Sequence, residues 1–121
     1  MSRRVLVVDD ELSTNALATE YLRLAGFEVV QSFDAEAALE TLKADAAFDA
    51  IVLDKRMPGM DGLEAARRIK ADPRTAAIPL VLLSASLRPS GLEPTADVAA
   101  FLAKPFRPRE LVAVLNGLIP R

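Results

Sequence analysis

The chain has 121 residues, a length that suits one domain and is too short for two. It contains no cysteine and no histidine, which excludes disulfides, thiol chemistry, Cys/His zinc sites and imidazole catalysis. The 15 Lys and Arg against 17 Asp and Glu give a formal net charge of -2, so we predict neither a nucleic-acid nor a membrane partner. No apolar run approaches the length of a signal segment or a membrane span, and we predict a cytoplasmic protein.

The first strand and helix are predicted at the beginning of the chain. Residues 5–8 form a continuous aliphatic run, which is typical of a central strand buried on both faces. The acidic stretch Asp9-Asp10-Glu11 follows this strand. Residues 13–25 are predicted as a helix that Gly26 ends. The large apolar residues of this helix recur at helical spacing: Leu17, Tyr21 and Leu24.

The second strand and helix come next. Residues 27–33 alternate in part and carry strand formers, which favours a strand nearer the edge of a sheet. Asp34 is the predicted N-cap of a helix over residues 35–44. The apolar stripe of that helix contains Ala38, Leu39 and Leu42. Residues 50–53 are again uniformly apolar and form the third predicted strand.

The third helix and the fourth strand follow the same pattern. Asp61 is the predicted cap of a helix over residues 62–71, which Asp72-Pro73 ends. The residues expected to bury this helix are Leu63, Ala66 and Ile69. Residues 79–84 form an apolar strand with a polar residue at its C-terminal end. Strands and helices therefore alternate regularly along the chain.

The last part of the chain contains one irregular segment. Within residues 86–97, Pro89, Gly91 and Pro94 lie too close together for a long helix, so the fourth helix is predicted to be short or irregular. Residues 99–103 form a short fifth strand, and Pro108 opens a final helix. The apolar residues of that helix are Leu111, Val114, Leu115 and Leu118. This alternation predicts an α/β fold, a doubly wound five-stranded parallel sheet with helices on both faces.

Polar residues occupy the C-terminal ends of four predicted strands: Asp9, Asp10, Asp54, Ser84 and Lys104. The carboxyl ends of parallel strands share one edge of a sheet, where such folds bind ligands. Each residue type also has an ordinary alternative role. Asp9-Asp10 is suited to capping a helix, Asp54 to starting a turn, and Lys104 to a solvated loop, while Ser84 suits the simple end of a strand. The shared position favours a site.

The residue types at this edge suggest phosphoryl chemistry. If the first and third strands are neighbours, Asp9, Asp10 and Asp54 form a carboxylate cluster that requires a cation, and Mg²⁺ fits its oxygen ligands. Lys104 and Ser84 are suited to holding phosphoryl oxygens. Since the chain lacks His, Cys and a P-loop, a carboxylate is the expected nucleophile, and Asp54 is the candidate.

These motifs together resemble the receiver domain of two-component response regulators. The resemblance rests on Val7-Val8-Asp9-Asp10-Glu11, on Leu53-Asp54 with Met57-Pro58-Gly59-Met60-Asp61-Gly62, on Ser84-Ala85, and on Phe101-Leu102-Ala103-Lys104-Pro105-Phe106. It spans nearly the whole chain and implies one receiver domain over residues 1–121. It also implies the flavodoxin-like strand order 2-1-3-4-5.

The resemblance implies a role for each site residue. Asp54 would accept a phosphoryl group from the phosphohistidine of a histidine kinase or a histidine phosphotransfer protein, and would lose it again to water. Asp10, Asp54 and the backbone carbonyl of Arg56 would bind Mg²⁺, with Asp9 acting through water or by orienting its neighbours. Lys104 would pair with a phosphoryl oxygen through a turn that is usually cis at Pro105. Ser84 and Phe101 would form the switch, although Phe101 also suits an ordinary core position.

Several features leave alternatives open. Arg56 either shields the phosphoryl group or faces solvent, and Arg107 stands at an expected N-cap without an evident role. We expect a stand-alone receiver that acts by protein contact, a self-phosphorylating and autodephosphorylating signalling domain more than a conventional enzyme. The alternative is a receiver-fold interaction module that does not use phosphorylation. A flavodoxin-like redox protein is disfavoured, because Asp9-Asp10-Glu11 would repel the phosphate of FMN.

Overall fold

The computed structural model describes residues 3–85 and 97–119. The elements in chain order are β1 (Arg3–Val8), α1 (Leu12–Leu24), β2 (Phe27–Ser32), α2 (Ala35–Ala44), β3 (Ala50–Asp54), α3 (Gly62–Ala71), β4 (Leu80–Ser84), β5 (Ala100–Ala103) and α4 (Pro108–Leu118). These bounds lie within two residues of the predicted ones. The predicted short helix within residues 86–97 lies almost wholly outside the described residues, so it stays a prediction.

The five strands form one parallel sheet in the order β2-β1-β3-β4-β5. The predicted sheet and the strand order implied by the resemblance are therefore confirmed. β1 pairs with β2 from Arg3 to Val8 and with β3 from Val5 to Val8, so it lies inside the sheet. β2 is an edge strand, as its mixed composition predicted.

Alternate residues of the central strands face two separate cores, one on each side of the sheet. Leu6, Ile51 and Leu82 pack with the buried residues of α2 and α3. Val7, Val52 and Val81 pack with those of α1 and α4. This alternation explains the uniformly apolar strand sequences, because a strand covered on both faces exposes neither set of side chains to water.

The prediction that Leu63 of α3 is buried is wrong, and the large apolar residues that indicated α1 lie on its exposed side. Leu17, Tyr21 and Leu24 of α1 are 45%, 44% and 77% exposed, and Leu63 of α3 is 44% exposed. The buried face of α1 consists of Asn15, Ala18, Thr19 and Leu22. The exposed and the buried set of α1 both have helical spacing. The buried set was not recognised in the sequence because it contains the polar residues Asn15 and Thr19. Among the described residues, no helix is long and apolar enough to cross a membrane.

The helix ends follow the predicted capping chemistry in most places. Gly26 has a φ of 96°, a left-handed conformation that suits glycine directly after a helix. Asp34 Oδ1 accepts from the Ala37 N–H at 2.7 Å, and Asp61 Oδ1 accepts from the Glu64 N–H at 2.9 Å. Arg107 has no such side-chain bond at the start of α4, where the Glu110 carboxylate instead accepts from the Arg107 N–H at 2.8 Å.

Asp34→Ala is expected to lower the free energy of unfolding by about 1 kcal/mol, because the Ala37 N–H loses its acceptor. The matched control is Arg107→Ala, which changes an N-cap residue that makes no side-chain cap bond and is expected to leave stability nearly unchanged. Urea unfolding followed by circular dichroism measures both. Equal losses in the two variants would contradict a capping role for Asp34.

Candidate functional site

The fold brings the predicted site residues to one edge of the sheet. Asp54 is the last residue of β3 and Ser84 the last residue of β4, and both are buried. Asp9 directly follows β1 and is fully buried, whereas its neighbour Asp10 is exposed. Lys104 directly follows β5, and its backbone N–H donates to the Ser84 carbonyl at 2.9 Å. The parallel arrangement of the strands thus places all five side chains on the same rim.

Asp9, Asp10 and Asp54 each offer one carboxylate oxygen, and these oxygens lie within 4.8 Å of one another. The only ammonium that the described residues place at ion-pair distance from this group is that of Lys104. Three ionised carboxylates against one ammonium leave an excess of two negative charges. A divalent cation that prefers oxygen ligands therefore fits the residues present, and Mg²⁺ is of this kind.

Lys104 lies inside the site and is not a solvated loop residue, with a side chain that is only 16% exposed. Its Nζ is 2.9 Å from Asp9 Oδ2, 3.3 Å from Asp54 Oδ1 and 4.0 Å from Glu11 Oε1. The peptide bond from Lys104 to Pro105 is cis, as the resemblance implied. The lysine thus bridges the two buried carboxylates.

Asp9 is not a helix cap. The N-cap residue of α1 is Glu11, which makes no side-chain cap bond. The Glu11 backbone N–H donates to Asp9 Oδ1 at 2.9 Å, while the other oxygen of Asp9 pairs with Lys104. Oδ1 of Asp9 therefore accepts a hydrogen bond, whereas Oδ2 makes an ion pair with Lys104 and has no hydrogen-bond donor of good geometry among the described residues.

Burial sets the ionisation of Asp54. Desolvation, and next the negative charge of Asp9, raise the pKa of Asp54 to about 6, although Lys104 and the Arg56 backbone amide act in the opposite direction. Burial also lowers the pKa of Lys104, but the carboxylates of Asp9 and Asp54 outweigh it and the net shift is upward. Lys104 is therefore a permanent cation, whereas Asp54 lies in surroundings that disfavour its charge.

The turn from β3 to α3 closes one side of the site. The Lys55 N–H donates to the Leu83 carbonyl at 2.8 Å, and the Gly62 N–H donates to the Lys55 carbonyl at 2.8 Å. Gly59 has a φ of 79°, and Glu36 Oε1 accepts from the Met60 N–H at 3.3 Å. These bonds hold the turn against both β4 and α2.

A cleft of about 480 Å³ opens beside the carboxylates. Arg56 lines this cleft and is exposed, so both alternatives for its side chain stay open. Asp10, Asp54, Ser84 and Lys104 line it as well. Phe101 lies elsewhere, half-buried against the core that contains α2 and α3. The switch role of Ser84 and Phe101 and the carbonyl of Arg56 as a metal ligand stay predictions.

One buried residue next to the site escaped sequence analysis. Asn15 of α1 donates from Nδ2 to the backbone carbonyls of Asp9 and Ser32, at 3.1 and 2.9 Å. It lies three residues before Ala18 and seven before Leu22, both of which are buried. The available signal was the helical spacing of Asn15 with Ala18 and Leu22, and the larger apolar side chains of the opposite arc obscured it.

The family model described as response regulator receiver domain matches residues 5–116. The phosphate regulon transcriptional regulatory protein PhoB of Pseudomonas aeruginosa is 36% identical over 125 aligned positions, which cover 100% of this chain and 53% of PhoB. The DNA-binding response regulator MtrA of Mycobacterium leprae is 35% identical with the same coverage. The chain thus spans about half the length of the curated relatives it matches.

Solved structures show the same likeness. The chemotaxis protein CheY4 of Vibrio cholerae superposes with a TM-score of 0.89 at 27% identity, over 98% of this chain and 100% of that one. The receiver domain of a Francisella response regulator superposes with a TM-score of 0.86 at 26% identity, over 97% and 96% of the two chains.

Proposed function

Because the chain belongs to the response regulator receiver domain family, we propose that Asp54 accepts a phosphoryl group from a phosphohistidine and thereby switches a protein-interaction surface. Response regulators are phosphorylated by histidine kinases, and receivers typically bind Mg²⁺ at an aspartate cluster. The observation that carries the proposal is the convergence of Asp9, Asp10 and Asp54 with Lys104 beside an open cleft. The donor is a histidine kinase or a histidine phosphotransfer protein.

The transfer is a displacement at phosphorus. A carboxylate oxygen of Asp54 forms the new O–P bond as the N–P bond of the phosphohistidine breaks, and the released imidazole nitrogen takes up a proton. The product is an aspartyl phosphate. Asp54 must be ionised to attack, and its pKa of about 6 leaves it mostly ionised at neutral pH. Asp54 is the proposed nucleophile because it ends a central strand and lines the cleft.

The other residues of the site would place positive charge near the phosphoryl oxygens. Asp10, Asp54 and the Arg56 carbonyl would hold Mg²⁺, and Asp9 would orient this group. When bound, the ion would neutralise negative charge on the phosphoryl oxygens. Lys104 already reaches Asp54 Oδ1 at 3.3 Å, so a short movement would bring its ammonium to a phosphoryl oxygen on Asp54. Arg56 lines the same cleft, where its cation is suited to contact that oxygen or to limit access of water.

The proposed response to phosphorylation passes through Ser84 and Phe101. Ser84 ends β4 next to the acceptor strand and lines the cleft, so its hydroxyl is suited to hydrogen-bond the phosphoryl group. Phe101 lies on β5, which pairs with β4. Inward rotation of its half-buried ring would then change the outer surface of β5.

The cellular location, the domain organisation and the output of the protein are also proposals. The cytoplasm and a stand-alone organisation stay predictions, and the chain spans about half the length of its curated relatives. PhoB is named a transcriptional regulatory protein and MtrA a DNA-binding response regulator. For this domain, whose formal net charge is -2, we propose an output through protein contact and not through direct contact with DNA.

The test is incubation with a small phosphodonor such as acetyl phosphate and Mg²⁺, followed by intact mass measurement. The native chain is expected to gain one phosphoryl group, and Asp54→Asn is expected to gain none. Lys104→Met is expected to take up phosphate more slowly, because its ammonium no longer reaches the acceptor. Absence of the mass increase in the native chain would favour the alternative, a phosphorylation-independent interaction module. An equal increase in Asp54→Asn would place the acceptor elsewhere.

A further inference from the structure

Asn15 is fully buried in α1 although its side chain is polar. Its Nδ2 donates to the Asp9 carbonyl at 3.1 Å and to the Ser32 carbonyl at 2.9 Å. Its Oδ1 accepts from Gln31 Nε2 at 2.8 Å and from Thr19 Oγ1 at 3.3 Å. These bonds use both hydrogens and both lone pairs of the amide. A buried amide whose bonds are all made is held in one orientation, since any other orientation leaves polar groups unpaired.

The two carbonyls that Asn15 holds lie where two strands end. Val8 and Ser32 are the last paired residues of β1 and β2, and the Asp9 N–H adds one more bond, to the Ser32 carbonyl, at 3.2 Å. Beyond this point the sheet no longer holds the chain. The Asn15 amide joins the Asp9 and Ser32 carbonyls and so ties both strand ends to α1.

Asp9 is therefore held from three directions. Asn15 holds its carbonyl, the Glu11 N–H holds Oδ1 at 2.9 Å, and Lys104 Nζ lies 2.9 Å from Oδ2. Both the first and the second of these contacts come from the start of α1 or the residue before it. A shift of α1 relative to β1 would move the Asp9 carboxylate with respect to Asp54 and Lys104.

We propose that Asn15 is a positioning residue, which sets the place of the Asp9 carboxylate and through it the cation affinity of the aspartate cluster. The binding of a cation in this proposal rests on the proposed function. The contacts between Asn15 and Asp9 are observed in this chain. Residues that orient metal ligands affect metal affinity by about 10-fold to 100-fold when changed. Asn15 is neither among the residues that line the cleft nor a member of the aspartate cluster, so its proposed effect passes through Asp9.

The alternative is that Asn15 has a purely structural role. Its hydrogen bonds would then serve only to satisfy the buried polar groups beneath α1. The matched control is Leu22→Ala, which removes a fully buried side chain two turns along the same buried face of α1. This change destabilises the packing of the helix but removes no bond to Asp9. If Asn15 has only a structural role, Asn15→Ala and Leu22→Ala are expected to change Mg²⁺ affinity alike. If Asn15 positions Asp9, only Asn15→Ala is expected to weaken Mg²⁺ binding.

The experiment measures Mg²⁺ affinity by isothermal titration calorimetry for the native chain, Asn15→Ala and Leu22→Ala. We expect about 10-fold weaker binding by Asn15→Ala and native binding by Leu22→Ala under conditions where both are folded. Gln31→Ala provides a milder variant, because Gln31 lies half-buried on the edge strand and its side chain donates to Asn15 Oδ1. Gln31→Ala is expected to weaken Mg²⁺ binding less than Asn15→Ala does, and it replaces Asn15→Ala in the test if that variant does not fold.

A second measurement needs no metal. The amide proton of Glu11, observed by NMR in the metal-free protein, reports the bond to Asp9 Oδ1. Its signal is expected to move upfield in Asn15→Ala, as that bond lengthens, and to stay in place in Leu22→Ala. If the native chain binds no Mg²⁺, the proposed function fails, and this signal still judges the role of Asn15. Equal Mg²⁺ affinities or an unmoved Glu11 signal in Asn15→Ala would overturn the proposal.

Discussion

Gly62→Ala is expected to destabilise the protein by about 3 kcal/mol, the upper part of the range for overpacked sites. Gly62 begins α3, and its N–H donates to the Lys55 carbonyl at 2.8 Å. A Cβ at this position would overlap the Asp54 carbonyl oxygen and lie 2.9 Å from Lys55 Cα. Every atom in the way is backbone, so relief requires α3 to move away from the end of β3. That end carries the proposed phosphoacceptor.

The matched control for Gly62→Ala is Gly117→Ala in α4, where a Cβ meets nothing within 4 Å. Alanine is the better helix former, so this change is expected to stabilise the protein by up to about 1 kcal/mol. Urea unfolding followed by circular dichroism measures both variants. The acetyl phosphate assay on folded Gly62→Ala is expected to show slower uptake. Native stability in Gly62→Ala would mean that α3 does not press on β3 as closely as the structure has it.

Asp54→Asn is expected to make the metal-free protein about 3 kcal/mol more stable at pH 7.5. In the folded chain, burial first and Asp9 second raise the pKa of Asp54 from 3.8 to about 6. The ionised carboxylate is therefore disfavoured in the folded state, by about 1.4 kcal/mol for each pKa unit. The favourable contribution of the protonated form is present at low pH and is lost as the pH rises through 6. The amide cannot ionise and so avoids this penalty, in which the opposing attraction of Lys104 is already included.

The gain in stability of Asp54→Asn over the native chain should depend on pH. It is expected to be largest above pH 7 and to shrink between pH 6 and pH 4, because the Asp54 carboxyl of the folded chain becomes protonated below about pH 6, whereas that of the unfolded chain becomes protonated only around pH 3.8. Asp34→Asn is the control, because Asn and Asp cap helices about equally well, and its effect is expected to stay below about 0.5 kcal/mol throughout. Thermal unfolding at a series of pH values with a chelator present measures these differences. A less stable Asp54→Asn at pH 7.5 would show that Lys104 more than offsets the burial.

Much of the fold followed from simple features of the sequence. Runs such as residues 5–8 and 50–53 are uniformly apolar and end at an acidic residue, and they became central strands that end at the site. Asp34 and Asp61 marked the starts of their helices correctly, since N-capping depends only on neighbouring residues. Strand order is different. It depends on contacts between distant segments, and it came from the family resemblance and not from periodicity.

The features that escaped prediction depend on tertiary packing. Leu17, Tyr21 and Leu24 share one arc of α1 and Ala18 and Leu22 share another, and only the placement of the helix on the sheet decides which arc is buried. The same placement buries Asn15. Lys104 was expected to pair with a phosphoryl oxygen. Its pairing with Asp9, a residue at the other end of the chain, became visible only in the folded structure.

The position of Lys104 after β5 suggests unequal local stability within the site. Asp9 follows β1 and Asp54 ends β3, and both strands have a neighbour on each side, whereas β5 has four residues and, within the described part of the chain, pairs only with β4. Short edge segments open at a lower free-energy cost than the whole fold. Fraying of β5 would withdraw the ammonium while the buried carboxylates stay in place. Hydrogen exchange should therefore find the amides around Lys104 less protected than those of β1 and β3.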